Sequence, residues 1–154
     1  MMDLILWRHA EAEYVAPSDL KRRLTSRGHK QAEKMAQWLS ARLDGKKPRL
    51  FASGALRAQE TLAALSHDFV VDPRLNPGTR PERYLEVCGW PGDGEGSVII
   101  AGHQPEIGRL AGLLLSGREQ DWSVKKGAIW WFQRRERAGY VECNLRVMMT
   151  PDML

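Results

Sequence analysis

The run Val98-Ile99-Ile100-Ala101 has no polar face. A strand of this kind has to be covered on both sides, which is the situation of a central strand in a parallel sheet. Around it, short apolar runs alternate with stretches whose apolar residues recur every three or four positions, the order of an α/β fold. Leu4 to Trp7, Arg49 to Ala52 and Asp68 to Val71 read as further strands. Ala32, Met35, Ala36, Leu39 and Leu43 form one apolar helical stripe, with Thr25 and Ser26 as N-cap oxygens and Gly45 as the stop. Leu56, Thr61, Leu62 and Leu65 mark a second helix. A short third helix, Pro81 to Val87, interrupts a loop rich in proline and glycine between Asp72 and Gly96. Ile107 to Leu115 is a fourth, with Pro105 suited to its first turn. Ala128 to Phe132 and Tyr140 to Met149 are two final strands, joined by the polar connection Arg134 to Gly139. The expected architecture is a single domain over residues 1–154, three-layer α/β/α with a mostly parallel open sheet.

Composition bounds the function. At 154 residues with 43% hydrophobic content the chain can bury a sizeable core, and its modest charge excludes a disordered chain. No apolar run approaches the ~18 residues of a membrane span, so no membrane partner is expected. The N-terminus lacks the basic and apolar regions of a signal peptide. Cys88 and Cys143 make no framework, and two reduced thiols in a cytoplasmic protein are expected. The net charge of +4 fits nucleic acid, anionic lipid or a phosphorylated substrate, and does not choose among them. A monomer is expected, since a compact domain of this size can act alone.

Ligands of open α/β sheets bind beyond the carboxyl ends of the strands. Two of these ends carry histidine: His9 after the first strand, and His103 after Val98 to Ala101. Arg8 adjoins the first, and Arg57 follows a third strand end in Ser53-Gly54-Ala55-Leu56-Arg57. His29 and His67 lie in or at the end of helices and read as solvent or capping residues. Lys125-Lys126 beside Trp130, Trp131 and Phe132 is the best support for a nucleic-acid interface, but aromatics in a strand are more often core; no nucleic-acid partner is expected.

Four places in this order resemble the histidine phosphatase superfamily, the phosphoglycerate-mutase-like fold. Leu4-Ile5-Leu6-Trp7-Arg8-His9-Ala10 resembles its strand followed by Arg-His-Gly. Leu24-Thr25-Ser26-Arg27-Gly28 matches Leu-Thr-x-x-Gly. Ser53 to Thr61 resembles Ser-x-x-x-Arg-Ala-x-Gln-Thr, with Gln59 and Glu60 transposed. Gly102-His103 resembles the strand-ending histidine of the second half. Ala10 replaces the usual glycine, as in the short branch typified by SixA. The short stretch between Arg57 and His103 also resembles that branch.

The resemblance implies a phosphatase acting through a covalent phosphohistidine, with His9 as nucleophile and Arg8, Arg57 and His103 completing the catalytic set. Arg8, Arg22, Arg57 and His103 would bind the phosphate, Arg22 by family match alone. Guanidinium forks suit phosphoryl oxygens, and a transferring phosphoryl group chiefly needs positioning and charge stabilisation. Neighbouring arginines also disfavour imidazolium, keeping His9 nucleophilic. No metal or cofactor is expected, because the arginines supply the charge and the histidines lack ligand spacing. A general acid, if used, falls among Glu82, Glu86 and Glu95. The expected partner is a phosphorylated protein bearing phosphohistidine. The alternatives are a phosphatase of a small sugar or nucleotide phosphate and a non-catalytic module that binds phosphate or a phosphoprotein.

Overall fold

The computed structural model describes residues 1–45, 47–92 and 95–154. Asp93 and Gly94, part of the glycine-rich loop expected near Glu95, lie outside the described residues. The elements run β1 (Met2–Arg8), α1 (Ser26–Arg42), β2 (Arg49–Ala52), α2 (Leu56–Ala63), β3 (Val70–Val71), α3 (Glu82–Cys88), β4 (Gly96–Gly102), α4 (Glu106–Ser116), β5 (Ile129–Arg137) and β6 (Tyr140–Met149). Among the described residues they build one six-stranded sheet in the order β3-β2-β4-β1-β5-β6. β3, β2, β4 and β1 are parallel to one another, while β5 and β6 are antiparallel additions. The mostly parallel α/β expectation holds.

The period of two along each strand divides the core between the two faces. Leu4, Leu6, Val98, Ile100 and Phe132 point to the side covered by Ile107 and Leu110 of α4 and Tyr84 of α3. Ile5, Trp7, Ile99, Ala101 and Trp131 point to the side covered by Met35 and Leu39 of α1 and Leu62 of α2. Trp131 and Phe132 are therefore core, and Trp130 packs against it. The expectation that these strand aromatics are core holds for Trp131 and Phe132.

Four boundaries differ from expectation. The polar stretch after Phe132 is not a connection: β5 continues to Arg137, and only Ala138 and Gly139, at φ 51° and 82°, make the turn. β1 pairs with β5 no further than Arg134, so beyond it the β5–β6 ribbon leaves the sheet and needs no apolar face. β3 contracts to two exposed residues at the sheet edge. α1 ends at Arg42, and the left-handed positions are shared by Asp44 and Gly45. Pro105 is the residue before α4 rather than part of its first turn.

Register is what positions the site. Arg8 lies opposite Gly102, and Trp7 opposite Ala101. Ala52 of β2 pairs with the same Ala101. The three central parallel strands therefore end level, releasing His9, His103 and Ser53 at one edge.

Candidate active site

His9 and His103 leave adjacent strand ends, and the His9 N–H donates to the Gly102 carbonyl at 3.0 Å. Their rings stand 5.3 Å apart, tilted by 49°. Both are buried, at 7% and 2% exposure. His9 Nδ1 lies 2.7 Å from the Ala10 carbonyl oxygen. A carbonyl can only accept, so Nδ1 carries the proton and Nε2 keeps the lone pair. Burial is the largest cause holding the His9 imidazole down to about 4; the Ala10 hydrogen bond opposes it, and the charges of Arg57, Arg8 and Arg22 each add a smaller depression. The arginines expected to keep His9 neutral contribute, but desolvation is the larger cause.

His103 is fixed from two sides. Its backbone N–H donates to the Tyr84 hydroxyl at 3.0 Å. Its Nε2 lies 2.7 Å from Ser53 Oγ, which accepts the Ala55 N–H at 3.2 Å. Where that hydroxyl donates to Nε2, the His103 proton is on Nδ1. Burial, then the neighbouring His9 and Arg57, push His103 down to about 3, against a smaller opposing effect of Asp19.

Arg8 ends β1, and its Nη1 donates to the Val124 carbonyl at 2.7 Å. Arg57 is buried in the first turn of α2. Its terminal nitrogens donate to Asp19, Nη1 to the backbone carbonyl at 2.8 Å and Nη2 to Oδ2 at 3.1 Å. Arg22 donates through Nη1 to Asp19 Oδ1 at 3.2 Å and through Nε to the Glu13 carbonyl at 2.6 Å. Arg8 Nε, Arg57 Nε and His103 Nδ1 are buried without a hydrogen-bond partner among the described residues, as is Glu106 Oε2 at the start of α4. Buried donors without acceptors are costly and rare, and here all three nitrogens belong to groups suited to an oxyanion.

The structure thus brings Arg8, His9, Arg22, Arg57 and His103 together. The three glutamates raised as acids are not drawn into this set. Glu95 pairs with the N-terminal ammonium at 3.6 Å, at the opposite end of β4. Glu82 pairs with Arg80 at 3.6 Å and Glu86 with Arg83 at 2.9 Å. His29 and His67 are exposed on their helix and loop. Among the described residues, no group of three or more His, Cys, Asp or Glu could hold a metal ion.

Several supporting residues escaped the sequence reading. Thr61 accepts the Ala10 N–H at 3.0 Å and donates to the Arg57 carbonyl at 2.7 Å, tying the histidine loop to α2. Glu60 accepts the Leu24 N–H at 2.9 Å, and Gln59 donates to the Gly54 carbonyl at 3.2 Å, so both transposed residues are used. Asp19 is the chief omission. Its three-residue spacing from Arg22 was the available signal.

Comparison with known proteins agrees with this geometry. The model of the histidine phosphatase superfamily (branch 1) matches residues 4–81. The phosphohistidine phosphatase SixA homolog of Haemophilus influenzae is 33% identical over 132 residues, covering 76% of this chain and 79% of that protein. The structure of the protein histidine phosphatase SixA complexed with tungstate is 27% identical, with a TM-score of 0.81 over 99% of both chains. A phosphoserine phosphatase of Entamoeba histolytica, 16% identical, shares the fold over 100% of both chains with a TM-score of 0.73.

Proposed function

The chain belongs to the histidine phosphatase superfamily and is a phosphatase; from that premise we propose that it hydrolyses phosphohistidine in a protein, through a phosphoryl group carried transiently on His9. One observation carries the reading: a neutral imidazole with its lone pair on Nε2 sits beside three buried nitrogens, Arg8 Nε, Arg57 Nε and His103 Nδ1, that have no hydrogen-bond partner among the described residues.

In this reading His9 Nε2 attacks phosphorus, the bond to the leaving group breaks in line, and a phosphohistidine forms. Arg8, Arg57 and His103 donate to the equatorial oxygens, where charge is greatest in the transition state, and Arg22 adds a fourth positive or polar contact. Water then attacks the same phosphorus, and His9 is released as the neutral base. The guanidinium groups supply the positive charge, so the proposed steps call for no metal or cofactor. A binding module would need the donors but not the nucleophile.

The choice of substrate rests on the leaving group. An alkoxide needs a proton from a general acid, whereas a histidine imidazole departs more easily. Buried Glu106 on α4 is the one carboxyl among the described residues that burial leaves with a raised pKa. Glu86 pairs with Arg83 and Glu95 with the N-terminal ammonium, Glu82 faces Arg80 at 3.6 Å, and Asp19 is held as a carboxylate by arginine. This supports a phosphoramidate over a phosphate ester. Two free thiols fit a reducing compartment, so we place the protein in the cytoplasm, acting as a monomer on a phosphorylated protein. No helix among the described residues is long and apolar enough to cross a membrane.

The test compares kcat/KM on chemically phosphorylated histidine proteins with that on sugar and nucleotide phosphates. The expected result is a preference of tenfold or more, about 1.4 kcal/mol of barrier, for the phosphohistidine proteins. Equal or better turnover of small esters would select the alternative substrate.

A further inference from the structure

The proposed phosphoryl site contains an anion of its own. Asp19 opens a short turn, Asp19–Lys21, that is held against α2 by Arg57. Its carboxylate accepts from Arg57 Nη2 at 3.1 Å on one oxygen and from Arg22 Nη1 at 3.2 Å on the other. Its backbone carbonyl takes Arg57 Nη1 at 2.8 Å. A single residue therefore engages both terminal nitrogens of Arg57 and bridges to a second guanidinium.

Carboxylate and phosphoryl oxygens compete for the same donors, since each offers two oxygens to a guanidinium fork. An incoming phosphoryl group must either share these arginines with a like charge or displace it. The carboxylate is placed for displacement: its side chain is 56% exposed, while Arg57 beneath it is 5% exposed. It borders a cleft of about 300 Å³ lined by Tyr14, Ala16, Ser18 and Arg22. Burial raises the Asp19 pKa, but hydrogen bonds from Arg57 and then Arg22 outweigh this and hold it below its ordinary value. The group is thus charged at neutral pH.

We propose that Asp19 is an internal counter-ion that lowers the affinity of the phosphoryl site for small free anions. Orthophosphate, the product, has no other contacts to compensate and leaves readily. A phosphoryl group presented on a larger substrate brings further contacts and enters. This rests on the reading of the site as a phosphoryl site, and it assigns Asp19 a role in selectivity rather than in proton transfer.

The test titrates the wild-type protein, Asp19→Asn and Asp19→Ala with tungstate and with orthophosphate, following tryptophan fluorescence or heat. Asparagine keeps an oxygen for Arg57, so that variant retains the turn while losing the charge. Both variants should bind both anions about tenfold more tightly, and the orthophosphate inhibition constant should fall in parallel. The gap should narrow at high salt, since the carboxylate is half-exposed. Equal or weaker binding by both variants would show that Asp19 merely holds Arg57 in place, and would overturn the proposal. A collapse of kcat with unchanged anion affinity would make it a proton donor, and would overturn it equally. Failure of all three proteins to bind either anion would instead remove the phosphoryl-site reading on which the proposal stands.

Discussion

His9 and His103 are held uncharged in the fold and gain a proton once exposed. Their folded values, about 4 and about 3, lie below the unfolded value near 6.5, so below that pH the unfolded state binds more protons. The neutral pair therefore costs nothing above pH 6.5, and stability is lost as pH falls from there toward 4. Between pH 7 and pH 5 each histidine should remove about 2 kcal/mol of stability. Urea unfolding at the two pH values measures this, and His9→Asn should abolish about half of the difference. An unfolding free energy independent of pH over this interval would contradict the burial argument. Binding of an oxyanion should oppose the loss, because it stabilises the folded state by mass action. Of these residue-level features the sequence revealed which histidines mattered, through their place after apolar runs. It did not reveal why they stay neutral, because desolvation depends on Tyr84, Ser53 and the loop around Val124, all distant in the chain.

At the scale of elements, the Leu24-Thr25-x-x-Gly28 signature is a packing device that fixes the loop beyond His9. Thr25 caps α1 by accepting the Gly28 N–H at 2.9 Å, and its hydroxyl donates to Glu11 Oε2 at 2.7 Å. Gly28 lets the helix lie directly on the Glu11 backbone; a Cβ there would collide with the Glu11 carbonyl oxygen. Alanine in a helix interior normally gains about 1 kcal/mol over glycine. Here the collision with a fixed backbone atom wins, since overpacking of this kind costs about 1–3 kcal/mol. Gly28→Ala should therefore lower the melting temperature and reduce kcat/KM, as Glu11 is pushed toward the nucleophile's loop. Thermal unfolding with a parallel assay checks both effects, and a more stable variant would sink the argument. The motif and the helix could both be read from the sequence, but the partner surface could not. The β5–β6 ribbon shows the converse limit. Its charged tip, Arg135 to Arg137, carries no strand pattern because it extends past Met2 at the start of β1.

For the molecule as a whole, two apolar faces sandwich a sheet whose central strands end together, and the polar residues released there form one site. The alternation of apolar runs and helical stripes was enough to read this layout from the chain. Asp19 was legible only in its spacing from Arg22; its grip on Arg57, thirty-eight residues away, was not. The central claim is that a phosphoryl group passes through His9. The most direct measurement is a brief reaction with ³²P-labelled phosphohistidine protein, stopped in alkali, followed by digestion and mapping of the label. A phosphoramidate survives base and is lost in acid, whereas a phosphoserine survives acid. The account predicts an acid-labile, base-stable label on the peptide carrying His9, and no label in His9→Ala, which should still bind tungstate. Label on Ser53 or Cys88, or near-normal turnover by His9→Ala, would contradict it.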